Sequence, residues 1–96
     1  MDGYSKADLI NVMYGKTSVN RKDVKALVDL FIEELKASIV SQGTVELRGF
    51  GTFQTRVRKG RQNARNPRTG EPISVEPHRI VVFKPGRNLK QKVWPL

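Results

Sequence analysis

The chain has 96 residues, enough for one small domain, and no cysteine, which excludes a disulfide framework and a thiolate metal site and fits a reducing cytosol. Its formal charge is +9. All of that excess lies in the second half: residues 1–43 carry six bases and six acids, residues 44–96 twelve bases and three acids. A basic surface on one side points to a polyanion, nucleic acid first and an acidic membrane surface second, over a merely solvated surface of mixed sign.

No stretch approaches the roughly 18 apolar residues that a membrane span needs. The opening MDGYSKADL has no basic segment followed by an apolar run, so it is not read as a secretory signal.

Ser5 and Asp8 have the spacing of a capping box, with Asp in place of Glu, and Leu9, Ile10, Val12 and Met13 supply an apolar face that Gly15 closes. A first helix is expected over about 5–14. Asn20 and Asp23 open a second, over about 20–42. Val24, Leu27, Val28, Phe31, Leu35 and Ile39 follow one helical face, Ile32 and Val40 widen it, and Gly43 is the natural residue beyond its end.

The period then changes. TVELR, residues 44–48, alternates as a half-buried strand does, GFG makes a tight turn, and TFQTRVR begins a second strand. That strand runs into RVRKGRQNARNPRTGEP, residues 56–72, where Val57 and Ala64 are the only apolar side chains apart from two prolines. A segment so poor in apolar residues cannot bury itself. NPRTGEP has turn chemistry, and ISVEPHRIVVF, residues 73–83, returns as a third strand with Ile80, Val81, Val82 and Phe83 expected to be buried on both faces. Pro77 requires a position where no ladder donor is needed, an edge or a bulge. KPGRNLKQKVW predicts a short last helix after Gly86.

The predicted fold is α+β: two helices, a three-stranded antiparallel sheet with one very long hairpin, and a terminal helix. Without the outer hairpin about 75 residues remain, a size at which a core is marginal. The second helix and the Phe50, Phe53 and Phe83 set need more cover than one chain offers, so a homodimer with a shared core is expected. The phenylalanines are read as core, in preference to base-stacking platforms, and Trp94 as packing for the last helix.

GFGTF (49–53), RNPRTGE (65–71) and FKPGRNLK (83–90), with this order of elements, resemble the HU and integration host factor family of bacterial DNA-bending proteins. The resemblance covers nearly the whole chain. It implies one domain over 1–96, with a helical dimerisation part over about 1–43 and the sheet, arm and last helix over about 44–96. It implies an intertwined homodimer whose hairpins embrace double-stranded DNA from the minor-groove side. By the same resemblance Arg56, Arg58, Lys59, Arg61, Arg65, Asn66 and Arg68 are arm residues that bind DNA. Pro67 is the wedge that intercalates between base pairs, and Lys6, Arg21, Arg87 and Lys90 hold DNA on the flank. The implied function is a histone-like protein of the bacterial nucleoid, in the cytoplasm, which compacts and bends DNA largely without sequence preference. The alternatives are a site-preferring bender like integration host factor and a general polyanion or RNA binder.

One departure from the family pattern stands in RQNARNP, where three residues instead of two separate Arg61 from Arg65. An extra residue in a strand reverses every side chain beyond it unless a bulge absorbs it, so a bulge or widened loop is predicted at Gln62–Ala64. Ala64 also stands where the family often has Gly. No cofactor, metal ion, small-molecule substrate, membrane or catalytic residue is expected. His78, the one histidine, is read as a sheet-surface residue, Tyr4 and Tyr14 carry no chemical signal, and the nine acids have no metal-ligand spacing.

Overall fold

The computed structural model describes residues 3–65 and 67–95, and for 61–65, 72 and 73 the backbone alone. The chain divides into two compact units, residues 1–37 and 38–96.

The first unit holds α1 (Lys6–Tyr14) and most of α2 (Arg21–Gln42). Both begin as their sequences dictate. Ser5 Oγ accepts from the Asp8 amide at 3.2 Å, and the Asp8 carboxylate accepts from the Ser5 amide at 2.9 Å. These two bonds close the capping box and satisfy donors that the first helical turn leaves open. The bond from the Ser5 amide is the main reason the Asp8 carboxyl lies below its ordinary range. At the next helix Asn20 Oδ1 accepts from the Asp23 amide at 2.9 Å. Gly43, with φ of 77°, follows α2 and donates its amide to Ile39 O at 3.0 Å, a left-handed exit that glycine adopts without strain.

Ile10 and Val24, 2% and 5% exposed, are the buried apolar side chains among the described residues. Of the apolar stripe of α2, Val28, Ile32, Leu35 and Ile39 are half-buried, and Leu27, Phe31 and Val40 are 62%, 55% and 83% exposed. This is the shortage of cover that the breadth of the stripe implies.

The second unit holds five strands and α3 (Arg87–Val93). β1 (Thr44–Leu47), β2 (Gly51–Arg58) and β5 (His78–Pro85) form an antiparallel sheet in the order β1-β2-β5, and β3 (Arg61–Arg65) and β4 (Pro72–Val75) form a separate two-stranded ribbon. The Gly43 carbonyl accepts from the Thr55 amide at 2.8 Å, which ties the start of β1 to β2. The Gly86 amide donates to Phe50 O at 2.8 Å and ties the start of α3 to the GFG turn. Phe50, Phe53 and Phe83 cluster, with ring centroids 4.9 to 6.5 Å apart.

Three expectations are corrected. The third strand, read as continuous over 73–83, is two strands, and Glu76 and Pro77 lie outside both. Pro77 has no amide hydrogen to give a ladder, so the break falls where the chemistry requires it. The run Ile80–Phe83 is not buried on both faces: Ile80 and Val82 are half-buried, Val81 is 60% exposed, and Phe83 is 36% exposed. Trp94, read as packing, is 85% exposed; with Pro85, Leu89, Lys90 and Val93 it lines an open apolar recess.

Candidate nucleic-acid interface

The register of β2 with β5 sets opposite each other Thr52 and Lys84, Phe53 and Phe83, Arg56 and Ile80, and Arg58 and His78. Side chains alternate across a strand, and directly opposed residues share a face. One face of the sheet therefore carries Val45, Leu47, Phe53 and Phe83, the aromatic side. The other carries Arg56, Arg58, His78 and Lys84, with Thr52, Gln54 and the single acid Glu46. The pleat sets Arg56, Arg58 and Lys84 on the face away from the phenylalanines, together with the half-buried Ile80 and Val82, and puts Arg79 on the aromatic face.

At Arg58 and His78 the sheet ends. Lys59 and Gly60 on one side and Glu76 and Pro77 on the other intervene before pairing resumes at Arg61 opposite Val75. Gly60 allows this link to close. A Cβ there would collide with the Val75 carbonyl oxygen and stand 2.9 Å from Pro77 Cδ.

In the ribbon the next pair after Arg61 and Val75 is Ala64 with Ile73, then Arg65 with Pro72. Gln62 and Asn63 thus stand against Ser74 alone. This is the predicted bulge, and it absorbs the extra residue of RQNARNP. Pro67 and Arg68, both exposed, follow in the turn, where the Glu71 amide donates to Thr69 Oγ1 at 3.3 Å. Asn66 lies outside the described residues, and Arg61 and Arg65 are described by backbone only.

Of the expected flank residues, Arg87 opens α3 and lines a recess with Glu46 and Arg48, while Lys90 lies on the same helix beside Trp94. Lys6 and Arg21 belong to the first unit. Each is engaged there: Lys6 Nζ lies 2.7 Å from Asp29 Oδ1, and Arg21 Nε donates to Asn11 Oδ1 at 2.9 Å. Lys25 Nζ lies 2.8 Å from the other oxygen of Asp29. The Lys25 and Lys6 hydrogen bonds, in that order, hold the Asp29 carboxyl down to about 2.

The cations brought together are thus Arg56, Arg58 and Lys59. Lys84 and His78 join them on the same face or at its edge, and neither stood among the expected site residues. Lys84 lies inside FKPG and reads locally as part of that motif; its face follows from the register with Thr52, which no local pattern states. Among the described residues no group of three or more His, Asp or Glu is placed to hold a metal ion, and no helix is long and apolar enough to cross a membrane.

A sheet with one cationic face that continues into a cationic ribbon defines the class of β-ribbon nucleic-acid binders. The chain matches the family described as bacterial DNA-binding protein over residues 4–94. It is 42% identical over 89 residues to the integration host factor subunit alpha of Alteromonas mediterranea, covering 93% of this chain and 89% of that one. It is 42% identical over 92 residues to the subunit alpha of Aliivibrio salmonicida, covering 96% and 93%. Among solved structures, an Anabaena HU–DNA cocrystal structure superposes with a TM-score of 0.86 at 32% identity, covering 97% of this chain and all of that one. An HU variant from Thermotoga maritima superposes with a TM-score of 0.67 at 27% identity, covering 94% and 99%. The chain belongs to the bacterial DNA-binding family of HU and integration host factor. That family is one of histone-like architectural proteins of the bacterial nucleoid, which bind double-stranded DNA and are not enzymes.

Proposed function

We propose that this chain binds duplex DNA with little sequence preference, from the minor-groove side, and bends it at kinks wedged by Pro67. One observation carries the reading: the face that bears Arg56 and Arg58 runs at its end into a ribbon whose two strands pair only with each other. A lone two-stranded hairpin is marginal in water. Phosphates along a bent duplex supply the partner that the ribbon lacks, and a minor groove widened by that bend admits such a ribbon. Arg61, Arg65, Asn66 and Arg68 extend the contact toward Pro67, and Lys59 flanks its root. Lys6, Arg21, Arg87 and Lys90 hold DNA beyond it.

The functional unit is a homodimer, and residues 1–96 act as one DNA-binding domain, in the nucleoid of the bacterial cytoplasm. Support comes from the uncovered stripe of α2. Burying a side chain such as Leu27, Leu30 or Phe31 contributes about 1.5–3 kcal/mol each, and in the single chain all three are more than half exposed.

The test is binding to intact duplex, nicked duplex and RNA of equal length across a salt series. Nicked duplex is expected to bind tightest, since its bending cost is least, and RNA weakest. Equal affinity for all three overturns the reading in favour of a general polyanion binder. A second reading, a site-preferring bender, is supported by the 42% identity to integration host factor subunits. Footprints confined to one consensus under competitor DNA decide for it.

A further inference from the structure

His78 stands at the root of the ribbon, directly opposite Arg58. Its Nδ1 lies 2.9 Å from the backbone carbonyl oxygen of Glu76. A carbonyl oxygen only accepts, so Nδ1 carries the hydrogen. The neutral ring then presents Nε2 as a lone pair, and only a second proton turns that nitrogen into a donor. The ring is exposed, and Arg58, Lys59, Gly60, Val75 and His78 line one recess there.

The surrounding charges are mostly of one sign. Arg58 and, further along β2, Arg56 share the face of His78; Lys59 lies in the link; Arg79 is the next residue of β5, on the opposite face. Glu76, two residues away, meets the ring through its backbone carbonyl, and among the described residues none that lines the recess bears a carboxylate. Such a recess suits an anion with several acceptor oxygens. A guanidinium supplies forked donors and an ammonium a point charge. The lone pair of a neutral imidazole opposes a phosphate oxygen, whereas an imidazolium adds a third charge-assisted donor.

The geometry points to a phosphodiester subsite at the root of the ribbon, in which His78 engages the DNA backbone only as an imidazolium, so that DNA binding takes up a proton. This rests on the reading that the ribbon binds DNA and adds a contact and a linkage to it. Affinity then rises as pH falls, because the bound phosphate favours the charged ring.

The test compares wild type, His78→Asn and His78→Lys on one duplex, with salt series at about pH 5.5 and about pH 8. His78 is exposed, so both variants keep the fold. From the higher to the lower pH the salt slope of wild type is expected to steepen by up to about one unit per chain. His78→Asn keeps the shallow slope at both values and His78→Lys the steep one. Calorimetry in buffers of different ionisation heat is expected to show up to about one proton taken up per wild-type chain and none for either variant. An identical pH response in wild type and His78→Asn, or no difference in proton uptake, overturns the subsite. If Arg56→Ala and Arg58→Ala weaken binding while His78→Asn follows wild type, this inference alone falls. If the arginine variants bind as wild type does, the ribbon reading falls with it.

Discussion

Gly60 and Pro77 face each other across the junction between sheet and ribbon, so closely that a Cβ on Gly60 would stand 2.9 Å from Pro77 Cδ. One residue lacks a side chain and the other lacks an amide hydrogen. Together they let two strands pass from one sheet to the next without a ladder between. Gly60→Ala puts a methyl group against the Val75 carbonyl, and backbone cannot yield as a flexible side chain does. The strands must splay at the root. DNA affinity at low salt is expected to drop about tenfold, in line with overpacking costs of about 1–3 kcal/mol. The helical circular dichroism is expected to stay at the wild-type level, because the change lies outside α1, α2 and α3. Binding curves and far-ultraviolet spectra on the same samples check both.

Arg56 and Arg58 lie two residues apart on one strand and so share a face. If each neutralises a phosphate, replacing either by Ala reduces the slope of log affinity against log salt by about one unit for each phosphate left unneutralised. Arg79, adjacent in the sheet but on the opposite face, serves as the control. Arg79→Ala is expected to leave the slope at the wild-type value, and an equal reduction from all three would deny that the pleat sorts the DNA-facing cations.

Asp29 joins Lys6 and Lys25, and its carboxyl is held down to about 2. A folded-state value below that of the unfolded chain means the contribution is fully present above about pH 4, the ordinary aspartate value, and is lost as pH falls through about 2. Wild type is therefore expected to melt above Asp29→Asn at neutral pH, with the gap closing on acidification. Thermal melts across that window check it. The same variant releases Lys6 from its carboxylate, so its DNA affinity at low salt is expected to rise slightly.

Much of this is legible in the sequence, for reasons that are local. Ser5 with Asp8, and Asn20 with Asp23, name their own helix starts because the capping bonds span three residues. The bulge opposite Ser74 is legible because the family's arm pattern marks one extra residue, which strand parity then requires a bulge or widened loop to absorb. Cross-strand relations are harder. The separation of Arg56, Arg58, His78 and Lys84 from Phe53 and Phe83 depends on the register of β2 with β5, which a long intervening arm fixes only in three dimensions. The exposure of Val81 and Trp94 escapes a sequence reading because β-rich, apolar local sequence reports a wish for cover and not where the cover comes from. The exposure of Leu27, Phe31 and Val40 on α2 has the same origin, and the proposed homodimer would cover it with a second copy. Phe31→Asp is expected to shift the species seen in sedimentation from dimer to monomer.

Pro67 bears most directly on the central claim, that the ribbon is completed by a deformed duplex. A duplex labelled at both ends reports its bend by energy transfer as protein is added. Wild type is expected to bring the ends together, and Pro67→Ala to lose most of that approach while keeping most of its affinity at low salt, because the arm's cations still meet phosphate when the wedge is gone. A saturated wild-type complex in which the ends stay as far apart as in free DNA would contradict it.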